Sequence, residues 1–158
     1  MALQKIWKLK GFGGSEQLEL SQAEIPNASE DQVIIKNEAI GLNYLDIYFR
    51  TALYPWPNQE EIKILGSEAA GTVIEIGAGV KHLKVGDRVV YVVPVGAYAE
   101  YVSVHSKHVA KIPDPVSFDT AAASLLKGIT AYYLLHDTFS LKSGQTALVH
   151  AAAGGVGQ

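Results

Sequence analysis

Apolar and polar residues alternate with a period of two through much of the first 112 residues, and two stretches show helical spacing instead. Residues 3–10 and 16–24 read as strands around Gly11-Phe12-Gly13-Gly14, whose glycines permit a tight reversal, so a hairpin is predicted at the amino end. Beyond a polar loop, Val33, Ile35, Asn37 and Ala39 alternate with polar neighbours, the pattern of a strand with one wet face. Residues 65–71 are small and lead into an alternating strand that Gly77-Ala78-Gly79 closes. Residues 85–93, 96–102 and 104–112 complete the strand set. Asp87 and Arg88 are read as fixing a turn and making a surface pair. Short strands with frequent glycine turns predict a small β-barrel or sandwich.

The first helical stretch lies between a strand and a turn. Leu42, Leu45, Ile47, Phe49 and Leu53 supply apolar positions for one buried face. Asn43 stands where a helix start needs an acceptor for its free N–H groups, and Asp46 puts an acid in the first turn, where it suits the dipole. The letters alone leave two readings open: a cap with a solvated acid, or a cleft rimmed by Asn43, Asp46, Tyr48 and Tyr54. Tyr54-Pro55-Trp56-Pro57-Asn58 then forces an extended passage, predicted to be lid-like.

The pattern changes at Pro113-Asp114-Pro115. Ser117 can cap a helix, residues 118–127 are rich in alanine, and Gly128 and Thr130 are expected to interrupt it before residues 129–135 continue. A short apolar strand over residues 146–150 is predicted next, followed at once by Ala151-Ala152-Ala153-Gly154-Gly155-Val156-Gly157. That is the position of a glycine-rich turn that delivers a dinucleotide pyrophosphate to a helix N-terminus, although alanine stands at the first glycine position. The helix, second strand and ribose-binding acid that would complete the motif would lie past Gln158, so the chain is expected to be either a fragment of a longer protein or a truncated product.

Composition narrows the chemistry. With 158 residues, 48% of them hydrophobic and 18% charged, the chain can bury a sizeable core. A net charge of −3 offers no footprint for nucleic acid or an anionic membrane. No apolar run approaches the roughly 18 residues of a membrane span, and the amino end lacks a signal-peptide core, so a cytoplasmic protein is expected. The absence of cysteine excludes disulfides, thiolate nucleophiles and sulfur-ligated zinc. His105 and His108 are predicted on opposite faces of one strand, an arrangement that holds no metal.

Five separated motifs, in order, resemble the medium-chain dehydrogenase/reductase superfamily, and within it the NADPH:quinone oxidoreductases. They are Asn43-Tyr44-Leu45-Asp46-Ile47-Tyr48 with Leu53-Tyr54-Pro55, Gly66-Ser67-Glu68-Ala69-Ala70-Gly71, Gly86-Asp87-Arg88-Val89, Lys127-Gly128-Ile129-Thr130-Ala131-Tyr132, and Ala151 to Gly157. The resemblance implies a mainly β, GroES-like, partly open barrel with short helices over residues 1–120. Residues 121–158 would be linking helices and the start of a Rossmann domain. It implies NADPH as cofactor and a quinone as substrate, with Asn43, Asp46 and Tyr48 as catalytic residues at the nicotinamide end of the cleft and Tyr54 beside the substrate. Lys127 and Thr130 would lie by the cofactor, with Gly154, Gly155 and Gly157 at its pyrophosphate; Glu68 would be a buried structural acid. Zinc-dependent members place a cysteine near the start of the Asn43 helix and a histidine where Ser67 stands, so no zinc is expected here. The full-length protein is expected to be a homodimer. Two other functions fit the same resemblance: a non-enzymatic barrel used as a binding module, and reduction of an enone or other activated alkene.

Overall fold

The computed structural model describes residues 2–58 and 61–158 of the chain, and it is mainly β. Strands β1 (Leu3–Leu9) and β2 (Leu18–Glu24) form the predicted antiparallel hairpin, with Leu9 opposite Leu18 and Leu3 opposite Glu24. Strands β3 (Gln32–Gly41), β4 (Glu68–Ile76), β5 (Arg88–Val92), β6 (Tyr101–His105) and β7 (Val109–Lys111) form a second sheet in the order β6-β3-β4-β5-β7, antiparallel throughout. Single bridges from Ile6 to Ala99 and from Lys8 to Ile64 carry the hairpin onto this sheet, giving a partly open barrel.

Alternation decides what each strand face meets. Val33 and Ile35 of β3, Ala69 and Val73 of β4, and Val89 and Tyr91 of β5 all point into one apolar cluster with Ile6, Val102 and Val104. The opposite faces of β4 and β5 offer Ala70 and Val90, which pack with Ile112 against Ala121 and Ala122 of helix α2 (Phe118–Tyr133). With both faces covered, Val89, Val90 and Tyr91 are all buried, and β5 reads as a continuous apolar run. Tyr91 buries its ring and gives its hydroxyl to Asn37 Oδ1 at 3.0 Å. The Asn37 amide donates in turn to the Ala97 and Ala99 carbonyls at 3.1 and 2.9 Å.

That side-chain bridge explains one departure from the alternation. The strand expected over residues 96–102 begins only at Tyr101, because Asn37 and the positive φ of Gly96 (114°) hold the preceding residues in a turn. The strand expected over 104–112 is broken as well: Ser106–His108 forms a 3₁₀ turn in which His105 Nδ1 accepts the Lys107 N–H. His105 and His108 therefore do not occupy opposite strand faces; their rings meet edge to face, 6.1 Å apart. Helix α2 runs on through Gly128 and Thr130 without interruption, capped by Ser117, and ends in a π-type turn over Leu134–Thr138. No strand forms over residues 146–150. Among the described residues no strand pairs with this stretch, and Leu148 is 84% exposed.

Asp87 and Arg88 bind elsewhere than to each other. Asp87 takes the Lys84 N–H and pairs with Lys111 at 2.8 Å, which holds its carboxyl below the usual range, while Arg88 donates to the Asp114 and Val116 carbonyls and stacks on Phe118 at 4.7 Å. Arg88 thus tethers the entry to α2.

Helix α2 lies so close to β3 that Gly41 has no room for a side chain. A Cβ there would fall 2.3 Å from the Ala122 carbonyl oxygen and 2.5 Å from Glu68 Cγ. Gly41→Ala is expected to destabilise the protein by about 1–3 kcal/mol, the range for overpacking, measured by urea unfolding. A variant as stable as the parent would show that this contact does not fix α2.

Candidate functional site

The site grows from three elements meeting at one carboxylate. Glu68 opens β4 and is fully buried. Its Oε1 accepts from the Asn43 amide at 2.9 Å and from Lys127 Nζ at 2.5 Å, and its Oε2 accepts the Leu126 backbone N–H at 2.7 Å. Asn43 is the N-cap of helix α1 (Tyr44–Arg50), and Lys127 and Leu126 lie midway along α2. A buried carboxylate is tolerated only with such partners. Glu68 is the structural acid, bound to neighbouring donors, that the sequence suggests.

Lys127 closes the triangle by donating to Asn43 Oδ1 at 2.9 Å. Its stem runs past Gly155, where a Cβ would lie 2.7 Å from Lys127 Cδ. The glycine turn is therefore folded back against the α2 lysine. Within that turn Gly154 N–H bonds the Ala151 carbonyl at 2.8 Å, and the Gln158 N–H reaches the Gly154 carbonyl at 3.1 Å, a four-residue bond of the kind that begins an α-helix.

A second buried acid sits one helical turn into α1. Asp46 is 5% exposed, and its Oδ2 accepts the Asn43 N–H at 2.8 Å, the reciprocal half of a capping box. The Tyr98 hydroxyl donates to the same oxygen at 3.0 Å, and the Ser67 hydroxyl lies 3.2 Å from Oδ1 and 3.0 Å from the Pro94 carbonyl. Burial pushes the Asp46 carboxyl above its ordinary value of 3.8, against the pull of these donors and with help from the nearby charge of Glu68. Burial and Asp46 together raise the Tyr98 hydroxyl, which keeps its proton and remains a donor. Thus neither simple reading of α1 is complete: Asp46 is part of the cap, yet it is buried and not solvated.

The remaining predicted residues fall into two groups. Tyr48 and Tyr54 stack at 5.3 Å between ring centroids, tied by the Tyr54 N–H to the Tyr48 carbonyl at 3.1 Å. Phe49 and Trp56 extend this aromatic set, so the described part of the proline-rich passage is anchored on α1 where a lid was expected. Thr130 gives its hydroxyl to the Leu126 carbonyl of its own helix at 2.7 Å, and Gly154 and Gly157 bond within their turn. Asn43, Asp46 and Lys127 are brought together; Tyr48 and Tyr54 form a separate pair.

Sequence reasoning missed Tyr98 and saw Ser67 only as an absent metal ligand. Tyr98 reaches Asp46 because Gly66, at φ 95°, admits its ring: a Cβ on Gly66 would be 2.2 Å from Tyr98 Cδ1. A cavity of about 370 Å³ opens beside these groups, lined by Leu42, Asn43, Asp46, Ile47, Leu65 and Tyr98 among others. No group of three His, Cys, Asp or Glu side chains suited to a metal occurs among the described residues.

Residues 29–114 match the alcohol dehydrogenase GroES-like domain. The chain belongs to that family. It is 45% identical over 146 residues to quinone oxidoreductase 1 of Escherichia coli, covering 92% of this chain and 44% of that protein. It is 38% identical to 2-haloacrylate reductase of a Burkholderia species, covering 92% of this chain and 45% of that one. The crystal structure of Escherichia coli quinone oxidoreductase complexed with NADPH superposes with a TM-score of 0.90 at 43% identity, covering 99% of this chain and 47% of that one. The chain spans about half the length of the curated relatives it matches.

The raised Asp46 carboxyl has a sign that can be tested. The folded protein holds this proton more tightly than the unfolded chain, so Asp46 favours folding at low pH, and that contribution is lost as pH rises from near 4 through the raised value. Asp46→Asn removes the titration. Its stability relative to the parent should improve as pH rises from near 4 and level off above the raised value in urea unfolding, and a difference that does not vary with pH would mean that Asp46 titrates normally.

Proposed function

We propose that this chain is the substrate-side part of an NADPH-dependent quinone oxidoreductase that transfers hydride without zinc. In this reading residues 1–120 form the GroES-like domain, and residues 121–158 link it to a Rossmann domain that they open. The observation that carries it is the Asn43–Glu68–Lys127 cluster, which ties the start of α1 to α2 beside the glycine turn.

The residues present suit the cofactor. Gly155 packs on the Lys127 stem, and a Cβ on Gly157 would collide with the backbone of the turn, 2.5 Å from Ala152 Cα. Gly154, Gly155 and Gly157 would let the pyrophosphate lie close against the backbone of the turn, with Lys127 and Thr130 alongside. When bound, a reduced nicotinamide supplies a hydride and accepts the positive charge left behind.

What the chain itself must do is bind a flat acceptor, orient it and exclude water. Asn43 offers amide donors at the cavity wall, Asp46 keeps the start of α1 rigid, and the Tyr48–Tyr54 ring pair supplies aromatic surface for a planar substrate. We assign Tyr48 as proton donor to the reduced oxygen. A quinone is already electrophilic, so no Lewis acid is needed. The donor set agrees, since Asn43 Oδ1 and Glu68 Oε1 already surround an ammonium and Ser67 offers only a hydroxyl. Likeness to 2-haloacrylate reductase favours one second reading, hydride transfer to an activated alkene in the same geometry.

The protein expressed from its native gene should oxidise NADPH with 1,4-naphthoquinone, and faster than with 2-cyclohexenone if the first reading is right. Tyr48→Phe should lower kcat by about 10²–10⁴-fold, the range for loss of a positioned acid. Unchanged turnover would remove Tyr48 from the proton path.

A further inference from the structure

The orientation of the Asn43 side chain is fixed from both ends. Its Oδ1 faces the Lys127 ammonium at 2.9 Å, and its Nδ2 faces the Glu68 carboxylate at 2.9 Å. Turning the amide over would set NH₂ against an ammonium and a carbonyl oxygen against a carboxylate, two repulsions in place of two charge-assisted bonds. Lys127 and Glu68 are themselves bonded at 2.5 Å, with Glu68 fully buried and further held by the Leu126 N–H, so neither can swing away to relieve a flipped amide. An amide carries two N–H donors. Glu68 takes one, and Asn43 also lines the 370 Å³ cavity with Leu42, Ile47, Leu65 and Tyr98.

We propose that Lys127 and Glu68 are positioning residues that lock the Asn43 amide, so that its second Nδ2–H is a fixed donor to a ligand carbonyl oxygen in this cavity. Lys127 acts through Asn43 and through the glycine turn that its stem supports. The chemistry recognised is a carbonyl oxygen on a flat ring, which both a quinone and the carboxamide of a nicotinamide offer. A ligand without such an acceptor would leave the donor unpaired, which penalises it. This deepens the reading of the chain as a quinone oxidoreductase and rests on it.

The test uses the protein expressed from its native gene, with 1,4-naphthoquinone carrying ¹³C at its carbonyls and, separately, NADPH carrying ¹³C in its carboxamide. Infrared difference spectra should show one label lowered in C=O frequency on binding, which identifies the source of the oxygen. Lys127→Met should return that band toward its free position and lower kcat/KM about tenfold, the value of one hydrogen bond of about 1.4 kcal/mol. Glu68→Gln keeps the volume but removes one of the two charges that hold the Asn43 amide, so it should move the band part of the way toward its free position. If Lys127→Met does not fold, Glu68→Gln still decides the matter. A single unmoved band in the folded variants, or neither label shifted in the parent, would overturn the lock. Absence of any NADPH-linked quinone turnover in the parent would instead overturn the functional reading, and this proposal with it.

Discussion

Burying the Glu68 carboxylate is the constraint on which the arrangement depends. An isolated carboxylate in a protein interior costs several kcal/mol even after relaxation, and Glu68 avoids that only by gathering an ammonium, a side-chain amide and a main-chain N–H around itself. Those three donors come from α1 and α2, while the acid comes from β4. Satisfying one charge therefore sets the relative position of three elements, and the cavity beside Asn43 follows from it. Gly41 is the steric counterpart, because it lets α2 approach until the Leu126 N–H is within reach.

Two buried acids share this region, yet they are treated differently. Glu68 has the cation; Asp46 has only neutral donors, from the Asn43 N–H, the Tyr98 hydroxyl and the Ser67 hydroxyl. Neutral donors compensate burial less fully than an ammonium does, and the neighbouring Glu68 charge opposes a second negative charge. The upward displacement of Asp46 follows from that division. A protonated Asp46 could donate to Ser67, whose own proton would then serve the Pro94 carbonyl 3.0 Å away. Hence the network around Asp46 accommodates either protonation state without moving α1.

Much of the fold was legible because it rests on local pattern: the hairpin, β3, β4 and the position of α1 follow from alternation, glycine turns and the Asn43 to Asp46 spacing. What was not legible depended on partners distant in sequence. Tyr98 meets Asp46 across 52 residues, and Lys127 meets Asn43 across 84; no periodicity announces either. The strand expected over residues 96–102 was displaced by Asn37, 60 residues from Ala97. Residues 146–150 have the composition of a strand, but pattern alone cannot supply the neighbours a strand requires. At Gly128 the propensity argument failed because α2 is held from outside, by Glu68 and by apolar packing on Ala70 and Val90, and such tertiary support outweighs about 1 kcal/mol of glycine penalty.

The charges also bear on what the cavity can accept. Lys127 is neutralised by Glu68 at contact distance, so the ammonium presents little net field to a ligand, and Asp46 discourages an anion wherever it is ionised. A neutral, planar acceptor meets no electrostatic barrier from that cancelled pair, and the cavity's other cation, Arg50, donates to the Gly13 carbonyl. The apolar side chains of Leu42, Ile47 and Leu65 give the cavity surface that suits a flat ring, and the Asn43 amide is the oriented polar group on its wall. An apolar wall with one oriented donor, and the Lys127 and Glu68 charges cancelled against each other, suits a reaction in which the electrophile is already activated and the protein's task is alignment.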